Sequence, residues 1–248
     1  MSHPHRHTYP ILACIASLFL VSTAAGQSTI VASQDNFVTG GSDNRDDVQG
    51  SSGTSGEILL KRASSTSGSR KAYFQFDVSS LTLNATDTAT FTVNLVGTSS
   101  STANFTFAAY ALNTGFTPGT GKLGTNWTES AITWNNAPAN NTGDRSAVTS
   151  DATQIGSSVA LTGVTTTTTG EFEFDLGLLS NYIQADDTVT IIMTMQSQSN
   201  TSPILKFASS ENATSSLHPS LSIVPEPAAA SILLGLSTLA FVGLRRRR

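Results

Sequence analysis

The sequence predicts an all-β protein folded as an antiparallel β-sandwich, and three observations support this prediction. Short runs of β-branched and aromatic residues recur along the chain, with apolar and polar positions in alternation. Clusters of Ser, Thr, Asn and Gly separate these runs, as turns do in sandwiches. Apolar residues at helical spacing are almost absent from the body, residues 27–223, which is long enough for one domain with a substantial core.

Residues 1–26 are predicted to form a cleaved secretory signal peptide. A basic, His-containing start is followed by an apolar run over residues 11–21 and by small residues at 24–26. A lipid on Cys14 is the alternative, but few apolar residues precede it and the apolar run continues beyond it. Cleavage would leave a chain without cysteine, which excludes disulfides, thiol catalysis and cysteine metal sites.

A basic hairpin is predicted near the start of the body. The runs EILLKRA and RKAYFQF read as two antiparallel strands joined by the small polar residues SSTSGS. This pairing would place Lys61, Arg62, Arg70 and Lys71 at one end, with Tyr73 on the outward face. Arginine can bind a uronate carboxylate through two hydrogen bonds, and tyrosine offers a ring for stacking on sugar. The alternative is that these charges offset nearby acids or protect an edge strand.

The phase of the strands follows from alternation. In KAYFQFDV, Phe74 and Phe76 share the predicted core face, whereas Tyr73 and Gln75 lie on the other, which predicts a half-buried strand. TATFTVNLVG, FTFAAYAL, EFEFDL and DTVTIIMTMQS repeat the pattern. LGLLSNYIQ is the segment with helical character and is predicted to be a short turn of helix or a bent strand.

The two tryptophans, Trp127 and Trp134, allow two interpretations. Their rings could stack on pyranose faces, or they could fill the core of a small sandwich. Core filling is favoured because Ile132 and Trp134 share one face of a β-rich segment and large aromatic residues are usually buried.

The inventory of catalytic groups is thin, so we expect a non-catalytic protein. After signal cleavage His218 is the one remaining histidine, and it precedes a proline in a predicted loop. A polysaccharide lyase using Tyr73, His218 and the basic residues is the enzyme alternative. The body carries eight Lys and Arg against sixteen Asp and Glu, which argues against nucleic acid as a partner.

The carboxyl-terminal segment, residues 224–248, combines three features. Two prolines keep the start of the segment extended, the uncharged stretch 228–244 would form a helix just long enough to span a membrane, and an arginine cluster follows. This arrangement resembles the PEP-CTERM sorting signal of Gram-negative bacteria. In that family an exosortase processes the proteins that carry the signal, and these proteins are associated with exopolysaccharide and biofilm matrix. A simple permanent anchor is the alternative. The residues that carry the resemblance are Pro225, Glu226, Pro227, Arg245, Arg246, Arg247 and Arg248.

Six segments of the body, taken in order along the chain, carry a second resemblance: DNFV (35–38), RKAYFQFDVSSL (70–81), WTESAITWNNAP (127–138), FEFD (172–175), FASSE (207–211) and PSL (219–221). Together they resemble the DNRLRE domain, which is grouped with carbohydrate-binding module family 96. The resemblance implies a jelly-roll β-sandwich that binds an acidic polysaccharide such as alginate.

A structural Ca²⁺ is a further expectation. Jelly-roll binding modules often hold this ion, and the run DNRDDVQG crowds carboxylates of the kind that Ca²⁺ takes. Asp35, Asp43, Asp46 and Glu211 are therefore candidate ligands, and a solvated acidic loop without metal is the alternative. No other cofactor is predicted.

These observations predict a secreted, surface-sorted, non-catalytic module that binds or organises extracellular polysaccharide. Its expected location is the cell surface or extracellular matrix of a Gram-negative bacterium, after transient anchoring in the inner membrane. The main alternative is a structural matrix or adhesion protein that binds no sugar.

Overall fold

The computed structural model describes residues 26–41, 56–99 and 102–225, and it confirms the predicted all-β sandwich of antiparallel sheets. The predicted signal peptide except its last residue, the predicted sorting segment from Glu226 onward, and the candidate metal ligands Asp43 and Asp46 lie outside these residues. Among the described residues, no helix has the length and apolar character needed to cross a membrane.

Eleven strands and two short 3₁₀ helices make up the described part of the chain. The helices are Leu179–Asn181, which confirms the predicted helical turn, and Ser215–Leu217. The strands are β1 (Ser28–Val31), β2 (Gln34–Thr39), β3 (Glu57–Leu60), β4 (Arg70–Asp77), β5 (Thr88–Thr98), β6 (Ala103–Leu112), β7 (Ala152–Val164), β8 (Gly170–Leu178), β9 (Thr188–Gln198), β10 (Leu205–Ala208) and β11 (Ser220–Val224).

The strands form two antiparallel sheets. In the first sheet the order is β1-β11-β5-β10-β3, and β8 pairs with the other edge of β5. Strand β5 can serve both short strands because β11 pairs with its first half and β10 with its second half. In the second sheet the order is β2-β4-β9-β6-β7.

Phenylalanine side chains fill the space between the two sheets. The rings of Phe74 and Phe91 lie 5.2 Å apart, and those of Phe107 and Phe207 lie 5.4 Å apart. Each pair joins a strand of the second sheet to a strand of the first, so these contacts hold the sandwich together. Phe76 belongs to the same core, which confirms the predicted inward phase of Phe74 and Phe76.

A second apolar cluster lies on the outer face of the second sheet. The long connection between β6 and β7, residues 113–151, contributes Trp127 and Trp134, which pack against Tyr73 and Ile192 of the sheet. Both faces of β4 are therefore buried, and the prediction that Tyr73 and Gln75 face solvent is wrong. Alternation correctly separated the two faces of β4. The face that was predicted to be exposed to solvent is covered by the 113–151 connection.

The predicted hairpin between β3 and β4 is also wrong in its main feature. β3 belongs to the first sheet and β4 to the second, and a single bridge between Lys61 and Arg70 connects the two segments. The chain reverses as expected, but β3 finds its ladder partner in β10 instead. Residues 62–69 therefore carry the chain from one sheet to the other.

We expect Phe74→Ala and Phe76→Ala each to lower the free energy of unfolding by about 3–5 kcal/mol, because each leaves a cavity between the sheets. Chemical denaturation measures the loss. Phe172→Ala is the matched control, since Phe172 lies partly exposed at the rim of the same core and should cost less. Losses for Phe74 and Phe76 no larger than that of Phe172 would contradict the assigned core.

Candidate functional site

Lys71 is wholly buried and is surrounded by oxygen atoms of the 113–151 connection. Its ammonium also lies 4.7 Å from the centre of the Trp134 ring. The group therefore ties the connection to β4, and its predicted role as an exposed contact for sugar is wrong because solvent does not reach it. Nζ donates to Asn140 Oδ1 (2.8 Å) and to the carbonyl oxygens of Asn141 (3.2 Å), Asp144 (2.9 Å) and Ala147 (2.6 Å).

The charge state of Lys71 follows from two opposing effects. Burial, with a further contribution from the Lys122 charge, lowers its pKa to about 7, whereas the neighbouring Asp144 carboxylate acts to raise it. Four oxygen acceptors require more N–H donors than the two of a neutral amine. The oxygen cage therefore favours the protonated form.

Tyr73 lies beneath the same layer and contacts no solvent. Its ring meets that of Trp127 edge to face at 6.1 Å, and burial raises the pKa of its hydroxyl. The hydroxyl has no hydrogen-bond partner among the described residues. Tyr73 can therefore not stack on a sugar, so its predicted role as a sugar contact is wrong. It also cannot reach a polymer as the base of the alternative lyase.

Lys61 and Arg70 meet at the bridge between the two sheets. The Arg70 guanidinium turns inward over the ring of Phe37, 5.5 Å from its centre. Burial lowers the pKa of Arg70, and burial together with the Arg70 charge lowers that of Lys61. The four predicted cations therefore do not form one exposed patch.

Arg62 differs from the other three because it lines an open groove of about 550 Å³. The guanidinium Nε donates to Ser146 Oγ at 2.9 Å, and the backbone N–H of Arg62 donates to Gln198 Oε1 at 3.0 Å. Its two terminal nitrogens make no hydrogen bond within the described part of the chain. The two hydrogen bonds therefore hold the Arg62 guanidinium in a fixed position in the groove.

The groove wall is held to the sheet by polar contacts. Ser146 Oγ donates to the carbonyl oxygen of Met195 on β9 at 2.8 Å. Arg145 donates to the carbonyl oxygens of Ala63 and Ser64, at 2.9 and 2.5 Å. These contacts join residues 62–64 to the 144–147 turn. Lys71 donates hydrogen bonds to carbonyl oxygens of the same turn from its buried side.

Tyr110 and Gln196 complete the groove and were not singled out from the sequence. Both are partly exposed on the outer face of the second sheet, where Gln196 Nε2 donates to the Tyr110 hydroxyl at 3.1 Å. Alternation in FTFAAYAL does place Tyr110 opposite the core-facing phenylalanines. The sequence carries no signal that this part of the outer face stays open.

The tryptophans fill the second core, as favoured from the sequence. Trp127 and Trp134 are almost completely buried. Trp127 Nε1 donates to Thr190 Oγ1 at 3.1 Å, and Trp134 Nε1 donates to the carbonyl oxygen of Thr142 at 3.2 Å. Stacking of either ring on sugar is excluded by this burial.

An acidic cluster lies at the edge of the second sheet. Asp35, Glu129 and Glu211 each offer one carboxylate oxygen, and these oxygens lie within 4.8 Å of one another. Burial raises the pKa of Asp35 to about 7; the Ser210 N–H lowers it, and the charges of Glu211 and Glu129 raise it further. The structure brings together the predicted candidates Asp35 and Glu211 and adds Glu129, which the sequence analysis did not select.

His218 is partly buried, and its Nε2 lies 2.7 Å from the carbonyl oxygen of Asn212. The imidazole is therefore engaged with the backbone of the loop that carries Glu211. This contact fits a structural role and not that of a free general base.

Comparison with known protein families identifies the family of the chain. The family model described as carbohydrate-binding module family 96 matches residues 26–224, nearly the whole described part of the chain. A comparison with curated proteins gives no match.

We expect Lys71→Met to lower the free energy of unfolding by about 3–5 kcal/mol, because it leaves four buried oxygens without their shared donor. Urea denaturation measures the change. Lys206→Met is the control, since Lys206 pairs with Glu57 at 2.9 Å on the surface and should cost about 1 kcal/mol or less. Similar losses in the two variants would show that the cage contributes no more than a surface ion pair.

Proposed function

Because the chain belongs to carbohydrate-binding module family 96, we propose that it is a non-catalytic module that binds extracellular polysaccharide in the groove beside Arg62. The groove is open to solvent, as a site for an internal stretch of polymer must be. We also propose that the strands are connected as in a jelly roll, as the sequence resemblance implies.

The observation that carries the proposal is the Arg62 guanidinium in the groove. Its Nε is occupied by Ser146, and its two terminal nitrogens make no hydrogen bond to the described part of the chain. A planar guanidinium binds a carboxylate through two parallel, charge-assisted hydrogen bonds. A neutral sugar has no carboxylate with which to form them. This geometry favours an acidic polysaccharide such as a polyuronate.

Tyr110 and Gln196 suit the rest of a sugar. The partly exposed ring of Tyr110 can pack against the apolar face of a pyranose, and the Gln196 amide can bond to hydroxyl groups. Asp144 also lines the groove, but its Oδ1 accepts from the backbone N–H groups of Ser146 and Ala147, at 2.6 and 2.8 Å. Its charge is thus partly satisfied within the turn.

Two other functions compete with this proposal. A structural matrix or adhesion protein would use the same sandwich without binding sugar. A lyase would need a base that reaches the polymer, and buried Tyr73 and engaged His218 do not supply one. The groove chemistry favours binding over both.

Affinity electrophoresis in gels containing alginate or polygalacturonate tests the binding site. Wild type should be retarded, and Arg62→Ala and Tyr110→Ala should each lose most of the retardation, because truncating a central contact typically weakens binding about tenfold or more. Arg62→Lys keeps the charge but not the paired hydrogen bonds and should be intermediate.

Lys206→Ala is the matched control, since it removes a cation on the first sheet away from the groove. All variants are compared at a temperature where each is folded, because Tyr110 also packs against the second apolar cluster. Equal retardation of wild type and Arg62→Ala would place the site elsewhere, and no retardation of any protein would favour the structural alternative.

We also propose that the chain is exported and sorted to the cell surface, with an exosortase as its processing partner. The support is the predicted signal peptide and the PEP-CTERM-like segment, residues 224–248. Intact-mass analysis of protein from the cell surface should find the carboxyl-terminal segment removed. Recovery of a species that still ends in Arg248 would favour a permanent membrane anchor.

A further inference from the structure

Three carboxylates from distant parts of the sequence meet at one edge of the sandwich. Asp35 belongs to β2, Glu129 to the 113–151 connection, and Glu211 to the loop after β10. We propose that Asp35, Glu129 and Glu211 form a Ca²⁺ site that fastens these three segments together. The site is separate from the groove, and its test is independent of carbohydrate binding.

The spacing of the oxygens fits the ion. Protein oxygens bind Ca²⁺ at about 2.3–2.6 Å, so two ligands of one ion lie at most about 5 Å apart. One oxygen from each carboxylate satisfies this limit with both others, within 4.8 Å. Carboxylates at this distance repel one another, and a bound cation would offset that repulsion.

Asp35 provides the second, independent observation. Its side chain is wholly buried, and Oδ1 has no hydrogen-bond partner among the described residues. Oδ2 accepts from the Ser210 backbone N–H at 2.6 Å. A buried carboxylate oxygen without a partner is costly, and a bound cation would supply the missing interaction.

The surrounding backbone holds the other two carboxylates in place. Glu129 Oε1 accepts from the Asp35 backbone N–H at 2.9 Å, and Glu129 N–H donates to Gln34 Oε1 at 3.1 Å. Ser210 Oγ donates to Glu211 Oε1 at 2.8 Å. The ligands are therefore oriented by the fold before any ion binds.

Gly56 fixes the loop that carries Glu211. Its φ is +57°, and a Cβ there would lie 2.7 Å from Asn212 Cα. This close approach lets the Gly56 carbonyl oxygen accept from Ser209 N–H and from Asn212 Nδ2, both at 3.0 Å. A side chain at this position would push the loop away from Asp35.

The ligand chemistry favours Ca²⁺ over other common cations. All three ligands are hard oxygens, and carboxylates on three separate segments give the irregular geometry that Ca²⁺ accepts. Mg²⁺ demands near-ideal octahedral geometry at about 2.0–2.1 Å and gives up water reluctantly. Water molecules would complete the Ca²⁺ coordination on the exposed side, beside Glu211.

A proton shared among the carboxylates is the competing explanation. Protonated Asp35 could donate to Glu129 or Glu211 and relieve the repulsion without metal. The two explanations can be distinguished because only a Ca²⁺ site predicts saturable Ca²⁺ binding with a 1:1 stoichiometry.

The experiment uses the full chain, stripped with a chelator and studied at pH 8. Calorimetric titration with CaCl₂ should give one site per chain. The melting temperature should rise by about 5–10 °C at a Ca²⁺ concentration about 100-fold above Kd. Glu211→Gln and Glu129→Gln should each weaken binding about tenfold or more.

Glu173→Gln is the control, since Glu173 is an exposed acid on β8 and lies away from the cluster. Its loss of one charge should leave Ca²⁺ affinity unchanged. Because Glu211 is exposed, Glu211→Gln should fold even if changes at Asp35 do not. No saturable binding at millimolar Ca²⁺, equal weakening by Glu173→Gln, or an equal response to MgCl₂ would overturn the proposal.

Discussion

The buried ammonium of Lys71 fixes the second layer of the protein to the sandwich. The 140–147 region is irregular chain, and four of its oxygens converge on this one donor. Irregular backbone can be buried only when its polar groups are paired, and the Lys71 ammonium pairs three backbone carbonyls and one side-chain amide oxygen there. The turn that the ammonium holds also carries Ser146, which orients Arg62. The geometry of the groove therefore depends on Lys71, a buried cation that does not itself line the groove.

The sequence predicted the inner layer well and the outer layer poorly, for a physical reason. Phe74 and Phe76 were placed correctly because alternation reports which residues share a face. Tyr73 and Lys71 were placed wrongly because alternation cannot tell a wet face from one covered by another part of the chain. The covering segment, residues 113–151, is rich in Asn, Thr and Gly and reads as surface loop. Its two tryptophans were the available signal that it hides apolar surface.

Sites made from distant segments were predicted in part. Asp35 and Glu211 were selected together through a family resemblance, and the structure places them side by side. Glu129 joins them only because the 113–151 connection wraps around the edge strand β2, which no local pattern reveals. The basic hairpin failed in the opposite way. Residues close in sequence were assumed to share a surface, but a chain of eight residues is long enough to change sheets.

The use of the basic residues also bears on how an acidic domain could bind the acidic polymer proposed above. Lys71 and Arg145 bind carbonyl oxygens of the protein itself, and Lys206 pairs with Glu57. With sixteen acids against eight cations, the body as a whole repels a polyanion. Screening limits that repulsion to about 8 Å at physiological salt, so contacts at short range can prevail. A single oriented guanidinium beside an aromatic ring meets this requirement, because its strength lies in geometry and not in accumulated charge. Binding at the Arg62 groove should then depend less on salt than binding to a broad basic patch would.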